Sequence, residues 1–281
     1  ASAQRPVLLG EPLPWAWSPT VDPEILAPEI EPLRAYLEKQ TGRPMPFRVT
    51  SSYAESSRML LEGEVSFAVL PPYIYVETHA KDPSLEPLAI KMFDGAMHSD
   101  GYLLVRGSSG IKELADLKGK TFCFTDKSST TGNFLPRNYI QEQGYDVGEF
   151  LGEVVWSGDH IQALRDIIEG KCDAAAVYSG AFIAADQLAV PVSQLRTLAI
   201  TGNVPQDAVV AGPNVSEADK RAVRQALNAF DPRSLNDAPH LGETQRITGF
   251  EPTTDDAYDH LRKVIKAYRS EPESGTDAGA D

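Results

Sequence analysis

The sequence predicts an α/β protein of two lobes, and three observations carry that reading. Short apolar runs rich in β-branched and aromatic residues alternate with amphipathic stretches along most of the 281 residues, which is the pattern of parallel sheet with crossover helices. The alternation starts afresh near residue 100, giving a second set of strands and helices. Helical segments left over after that set imply a chain that enters the second lobe and returns to the first. The boundaries expected are residues 1–100 and 205–269 for the first lobe, 101–204 for the second, and 270–281 for a mobile tail.

In the first lobe, Val7 to Gly10 reads as a strand and Ile25 to Thr41 as a helix. Phe47 to Val49 is a second strand, and the helix from Tyr53 to Glu62 is introduced by Ser52-Tyr53-Ala54-Glu55, a capping box with Tyr53 in the first turn. Ser66 to Leu70 is a third strand, stopped by Pro71-Pro72-Tyr73, where the next helix begins and runs towards Ala80.

The second lobe repeats the grammar. Strands are expected at Tyr102 to Arg106, Thr121 to Phe124, Glu153 to Trp156 and Cys172 to Tyr178. Between them lie a short helix through Leu117, a Ser/Thr-led helix after residue 128, and a helix from Asp159 to Glu169 whose Ile161, Leu164, Ile167 and Ile168 form an apolar stripe. A strand from Arg196 to Thr201 and the apolar run Ala208 to Ala211 follow, then helices around Ser216 to Ala229 and Thr254 to Tyr268. The tail from Ser270 is too poor in apolar residues to order itself.

Composition narrows the function. A net charge of −14 with scattered basic residues excludes a nucleic-acid binder, which needs a basic face to neutralise phosphates. No segment reaches the ~18 apolar residues of a membrane span. The opening Ala1-Ser2-Ala3-Gln4-Arg5-Pro6 reads as the start left by a secretory cleavage. The two cysteines, Cys123 and Cys172, exclude a disulfide framework; a single bridge stays open, and two buried free thiols are the simpler expectation. There is no nucleophile elbow, phosphate-cradling P-loop or His-Glu-x-x-His, and the five histidines lack metal-ligand spacing, so neither enzyme nor cofactor nor metal is read. The weak hydrolase alternative would pair Ser129 with His160.

The stretch from Thr125 to Asn133 is the most informative. Ser129, Thr130 and Thr131 bring three hydroxyls and Gly132 lets the backbone come close, all where an apolar run enters a helix. Helix starts leave N–H groups unpaired and carry partial positive charge, and from Ser128 to Ile140 no carboxylate fills that place. The segment therefore suits an external anion. An ordinary Ser/Thr cap is the plainer alternative. His160, in the first turn of its own helix, reads as a neutral imidazole able to donate one proton, or as a surface cap. Tyr53 is either a lid over a tetrahedral anion or a packed capping residue. Tyr73 and Tyr75 fit a core, as do Trp15, Trp17 and Trp156 at strand ends.

Several motifs in order along the chain then resemble the periplasmic substrate-binding proteins of phosphate, phosphite and phosphonate ABC transporters. Ser129-Thr130-Thr131-Gly132, with Pro136 in the following helix, is similar to that family's Ser-Thr-Ser-Gly signature. Leu117-Lys118-Gly119-Lys120 resembles its turn into the preceding strand, and Ser157-Gly158-Asp159-His160 its next helix start. Gly170-Lys171-Cys172-Asp173-Ala174 and Pro71-Pro72-Tyr73-Ile74-Tyr75 match two further elements, and Ala257 to Leu261 the closing helix. The resemblance implies a type II-like periplasmic-binding-protein fold with the ligand in a cleft between the lobes. It implies ligand contacts at Ser129, Thr130, Thr131, Gly132, Tyr53, His160, Pro72, Tyr73 and Asp207.

It further implies a monomeric periplasmic protein that captures a small phosphorus oxyanion by hinged closure and passes it to an ABC permease. A periplasmic oxyanion sensor, for example of arsenite, partnered with a histidine kinase is the alternative. Three departures bear on the ligand: Thr131 replaces the last signature serine, Asp159 precedes His160 where relatives often place the acid after it, and Tyr178 stands where aminophosphonate binders carry a carboxylate.

Overall fold

The computed structural model describes residues 8–269, so the 270–281 tail and Val7 lie outside the described residues. The chain forms two compact units: residues 8–98 with 205–258, and residues 99–204 with 259–269.

In chain order the first stretch holds β1 (Trp15–Trp17), α1 (Pro23–Thr41), β2 (Phe47–Val49), α2 (Tyr53–Leu61), β3 (Phe67–Leu70), α3 (Pro72–Lys81) and β4 (Glu86–Phe93). Next come β5 (His98–Arg106), β6 (Phe122–Phe124), α4 (Leu135–Glu142), α5 (Val147–Phe150), β7 (Val154–Trp156), α6 (His160–Ile168), β8 (Ala174–Tyr178), α7 (Ala181–Gln187) and β9 (Leu195–Pro205). The return carries β10 (Ala208–Ala211), α8 (Glu217–Asn228), α9 (Arg233–Asn236) and β11 (Ile247–Pro252), and the last element is α10 (Asp259–Arg269).

The first unit is built on a six-stranded sheet in the order β11-β4-β10-β3-β1-β2. β1 pairs parallel with β2 and β3, whereas β10 runs antiparallel to both β3 and β4, and β11 antiparallel to β4. The purely parallel expectation is thus corrected. The chain re-enters this unit at Pro205, next to the carboxyl end of β3, so the strand that follows can only run back along its neighbour. Trp15, Trp17, Leu26, Leu33, Phe67, Val209 and Leu227 are fully buried between this sheet and α1 and α8.

The predicted strand at Val7 to Gly10 is absent from its described part: residues 8–10 are irregular and Leu9 is exposed. The first strand is instead Trp-Ala-Trp, where the Leu13 and Trp15 N–H groups donate to the Pro44 and Pro46 carbonyls. Both tryptophans are buried, as the packing alternative held. Ser52 caps α2 by accepting from the Glu55 N–H at 3.1 Å. The Glu55 carboxylate, however, takes the N–H and hydroxyl of Ser51 at 2.7 Å each, so the reciprocal half of the expected capping box shifts by one residue.

The second unit holds a five-stranded sheet ordered β7-β6-β8-β5-β9. β6 runs parallel to β7 and β8, and β5 antiparallel to β8. Cys123 in β6 lies opposite Ala175 of β8, and Cys172 sits just before β8. The two cysteines are bonded, with Cα atoms 5.8 Å apart, which corrects the expectation of free thiols. Adjacent parallel strands bring together two residues 49 apart in sequence.

The helix predicted from Thr254 to Tyr268 is divided. A 3-10 turn at Asp255–Tyr258 closes the first unit, where Tyr258 is buried against Tyr75 with ring centroids 4.5 Å apart. α10 groups with the second unit: Tyr268 meets Phe134 edge-on at 5.1 Å and lies 5.9 Å from the Arg137 guanidinium. The second unit therefore takes back residues 259–269, which had been assigned to the first lobe.

Candidate functional site

Parallel strands present their carboxyl ends on one side, and in open α/β sheets ligands bind there. In the second unit β6, β7 and β8 deliver three turns to that edge, at 125–132, 157–160 and 178–180.

The 125–132 turn leads from β6 into one π-helical turn, Thr130–Phe134, which continues as α4. Ser129 is its cap, its hydroxyl accepting from the Gly132 N–H at 3.0 Å. Asp126 is occupied locally, its carboxylate accepting from the Ser128 N–H at 2.8 Å and the Ser128 hydroxyl at 2.5 Å. Ser129, Thr130 and Thr131 are all buried. The first N–H groups of any helix lack carbonyl partners within it, so hydroxyls and N–H dipoles converge here. Position 132 admits only glycine: a Cβ there would stand 1.7 Å from the Thr125 hydroxyl oxygen and 2.8 Å from that of Ser129. Thr125 is itself buried and its hydroxyl has no hydrogen-bond partner among the described residues. It is a candidate contact that sequence reasoning passed over, although it heads the same stretch.

His160 opens α6, which Asp159 caps by accepting from the Gln162 N–H at 2.7 Å. The Tyr178 N–H donates to Nδ1 of His160 at 3.3 Å, and the two rings meet edge to face at 4.7 Å. Burial lowers the imidazole pKa to about 4, against a smaller opposing pull from Asp126. The ring is thus neutral near pH 7. With Nδ1 accepting, its one proton resides on Nε2, a donor at the edge that carries the Ser/Thr turn.

The first unit brings its own residues to the carboxyl-end edge of its sheet. Tyr53 begins α2 after β2 and is half-buried. Pro72 occupies the first position of α3 after β3, where its missing N–H costs nothing, and Tyr73 follows it half-buried. Tyr75 turns inward instead and donates to Asp255 at 2.5 Å. Asp207 lies at the same edge because β10 starts there, and its carboxylate is 3.3 Å from Nζ of Lys91. Lys91 was missed by sequence reasoning. The available signal was a charge inside the apolar strand Glu86–Phe93, which must find a partner if buried.

The predicted residues therefore fall into two sets. Ser129, Thr130, Thr131, Gly132 and His160 share one sheet edge in the second unit, and Tyr53, Pro72, Tyr73 and Asp207 share one in the first. Among the described residues no group of three or more His, Cys, Asp or Glu is placed to hold a metal ion, and no helix is long and apolar enough to cross a membrane.

Comparison with known proteins agrees with this fold. The chain is 29% identical over 266 residues to the phosphate-import protein PhnD of Mycolicibacterium smegmatis, a match covering 88% of this chain and 82% of that protein. Its fold resembles the binding protein component of an ABC phosphonate transporter from Pseudomonas aeruginosa, with a TM-score of 0.77 at 18% identity, covering 92% of this chain and 87% of the other. It also resembles PhnD1 of Prochlorococcus marinus in complex with methylphosphonate, with a TM-score of 0.81 at 14% identity, covering 93% and 99% of the two chains. The fold class is that of the type II-like periplasmic binding proteins, and the relatives lend no support to a kinase-coupled sensor. Residues 15–258 match the family described as the periplasmic substrate-binding protein of the phosphonate ABC transporter, and the chain belongs to that family.

Proposed function

We propose that this protein is an extracytoplasmic receptor for a small phosphorus oxyanion, namely phosphate, phosphite or an alkylphosphonate, which it hands unaltered to an ABC permease. The observation that carries this reading is the buried Ser129-Thr130-Thr131-Gly132 turn beside a neutral His160 at one sheet edge. Such a site recognises an anion by hydroxyls, N–H dipoles and one imidazole donor, without a cation, and so works in a protein of net charge −14. Its donors outnumber the two oxygens of a carboxylate and suit a tetrahedral group. The methylphosphonate held by the Prochlorococcus protein and the phosphate import of the mycobacterial one support the ligand class. The protein acts as a monomer, since one chain supplies every contact proposed.

A thermal-shift and calorimetric screen of phosphate, phosphite and methylphosphonate tests the proposal. A ligand bound only by the folded form stabilises it by about 2.7 kcal/mol at a hundredfold excess over Kd. At least one of the three should raise the unfolding midpoint and titrate with a stoichiometry of one. Silence of all three at millimolar concentration overturns the reading, and release of phosphate from a phosphate ester by the purified protein overturns the claim that it only binds.

A further inference from the structure

Within the second unit, the anion turn is joined to the helix that follows it by side chains that no proposed ligand contact includes. Asn133 is buried, 1% exposed, in the π-helical turn Thr130–Phe134. Its Nδ2 donates to the Lys127 carbonyl at 2.8 Å, and its Oδ1 accepts from Nε of Arg137 at 2.6 Å. A buried amide is destabilising unless both of its groups are paired, and here one is paired to the turn and the other to α4. The Arg137 guanidinium is held by rings from three elements. It lies 4.3 Å from the centroid of Phe124 in β6, 5.6 Å from that of Trp156 in β7 and 5.9 Å from that of Tyr268 in α10.

Asn133 is not needed as a helix cap, because Ser129 fills that role with its bond from the Gly132 N–H. The Asn133 amide reaches six residues back instead, to the segment that precedes the hydroxyls. Asp126 pins the same segment, its carboxylate accepting from the Ser128 N–H at 2.8 Å and its carbonyl from the Ser129 N–H at 3.0 Å. The main chain from 126 to 129 is therefore fixed by its Lys127 carbonyl as well as by two N–H groups, and it sets where Ser129 and Thr130 stand. Precision of that kind matters to binding, since hydrogen bonds weaken steeply off their preferred geometry and a site must be held to within about 0.5 Å.

We propose that Asn133 is a positioning residue for oxyanion binding, which ties the Lys127 carbonyl to α4 so that the hydroxyls at 129–131 are placed for the ligand, and that Arg137 holds Asn133 in the orientation this requires. The proposal rests on the oxyanion reading above. Arg137 lies against aromatic faces and its Nε–H is taken by Asn133, so it acts on the ligand through the turn and not as a charge partner.

The test is calorimetry with the tightest of phosphate, phosphite and methylphosphonate, on Asn133→Leu, Arg137→Gln and the double variant. Asn133→Leu keeps the approximate size of the side chain, removes both hydrogen bonds and should weaken binding roughly ten- to a hundredfold. Arg137→Gln should weaken it several-fold, equally at low and high salt, and should add little to Asn133→Leu because the two residues act as one chain. Hydrogen exchange supplies the readout that general destabilisation would not give. In ligand-free Asn133→Leu the N–H groups of Ser128, Ser129 and Gly132 should exchange faster while those of β6 and β8 do not, and saturating anion should slow them again.

Wild-type affinity in folded Asn133→Leu overturns the proposal, and shows that the amide serves packing alone. A loss in Arg137→Gln that vanishes at high salt, or adds in full to that of Asn133→Leu, overturns the part given to Arg137. Weakened binding with unchanged exchange in the turn overturns the positioning role, because Asn133 would then meet the ligand itself. Arg137→Gln alters a partly buried residue and carries the test if Asn133→Leu does not fold, wild-type affinity and exchange in it counting against the proposal. A wild type that binds none of the three anions refutes the oxyanion reading, and this proposal with it.

Discussion

His160 and Tyr178 are locked together through the main chain: the Tyr178 N–H donates to Nδ1 of the imidazole at 3.3 Å, which leaves the ring's proton on Nε2. The Tyr178 ring also meets the imidazole edge to face, with centroids 4.7 Å apart. A carboxylate beside the ring would favour the imidazolium, whereas an aromatic ring and an N–H donor favour the neutral form.

The first prediction concerns pH. With a folded pKa of about 4 and an ordinary value of 6.5, His160 binds fewer protons folded than unfolded between those limits. Stability therefore falls as pH drops from about 6.5 towards 4 and is unaffected by this group above about 7. Unfolding midpoints measured across pH 4 to 8 should show that slope in wild type and a shallower one in His160→Gln. Anion affinity, corrected for the ligand's own ionisation, should hold steady above pH 7. A corrected affinity that falls about tenfold per pH unit there, and stops doing so in His160→Gln, would make the ring a charge partner and reject the neutral donor.

The second prediction concerns the hydroxyl cradle. A hydrogen bond to a charged ligand contributes about 1.5 to 3 kcal/mol, so Thr130→Ala should weaken anion binding roughly ten- to a hundredfold. Thr130 is buried at a helix start but does not cap it, that role belonging to Ser129, so the ligand-free midpoint should change little. Calorimetry on the variant decides: wild-type affinity removes Thr130 from the site.

These tests also mark how far the sequence could be read. The helix cap at Ser52 and the Ser/Thr-led helix start at Ser129 were legible because each is a local signal, a side-chain oxygen and an N–H three residues apart. β1 was not, since Trp15–Trp17 is three residues long and preceded by Pro12 and Pro14, which argue against a strand. Pairings set by strand order were hidden for a different reason. Lys91 with Asp207, Cys123 with Cys172 and Tyr268 with Phe134 each join residues whose strands or helices become neighbours only once the topology is known. The division of Asp255–Tyr258 from α10 belongs to the same class: the helical pattern is continuous, and only the packing partners differ.

The third prediction is closure on the ligand. The chain passes from one compact unit to the other three times, after residues 98, 204 and 258. Two of these crossings fall in β5 and β9, so the connections are extended segments able to absorb small rotations at a few residues. If the site residues of both units contact one anion, saturating ligand should draw the units together and reduce the radius of gyration. Small-angle scattering with and without the tightest anion of the screen provides the measurement. An unchanged radius at full occupancy would mean that one unit binds the anion alone.

The fourth prediction follows from the Cys123–Cys172 bond, which joins β6 to the start of β8 directly beneath the turn that carries Ser129. A cross-link between residues 49 apart restricts the unfolded chain, and on the chain-entropy model this stabilises the fold by about 4 kcal/mol. Both sulfurs lie in the apolar core with Leu164, Ile167 and Val177, so the folded protein should resist mild reductant, and alkylation of two thiols should require denaturant as well as reductant. The Cys123→Ala/Cys172→Ala variant should unfold at lower denaturant concentration. Because β6 and β8 stay hydrogen-bonded without the cross-link, anion affinity in the folded variant should remain within a few-fold of wild type. Equal denaturation midpoints for variant and wild type would show that the bridge adds nothing to stability. Lost binding in a folded variant would show that the bridge also holds the 125–132 turn in place.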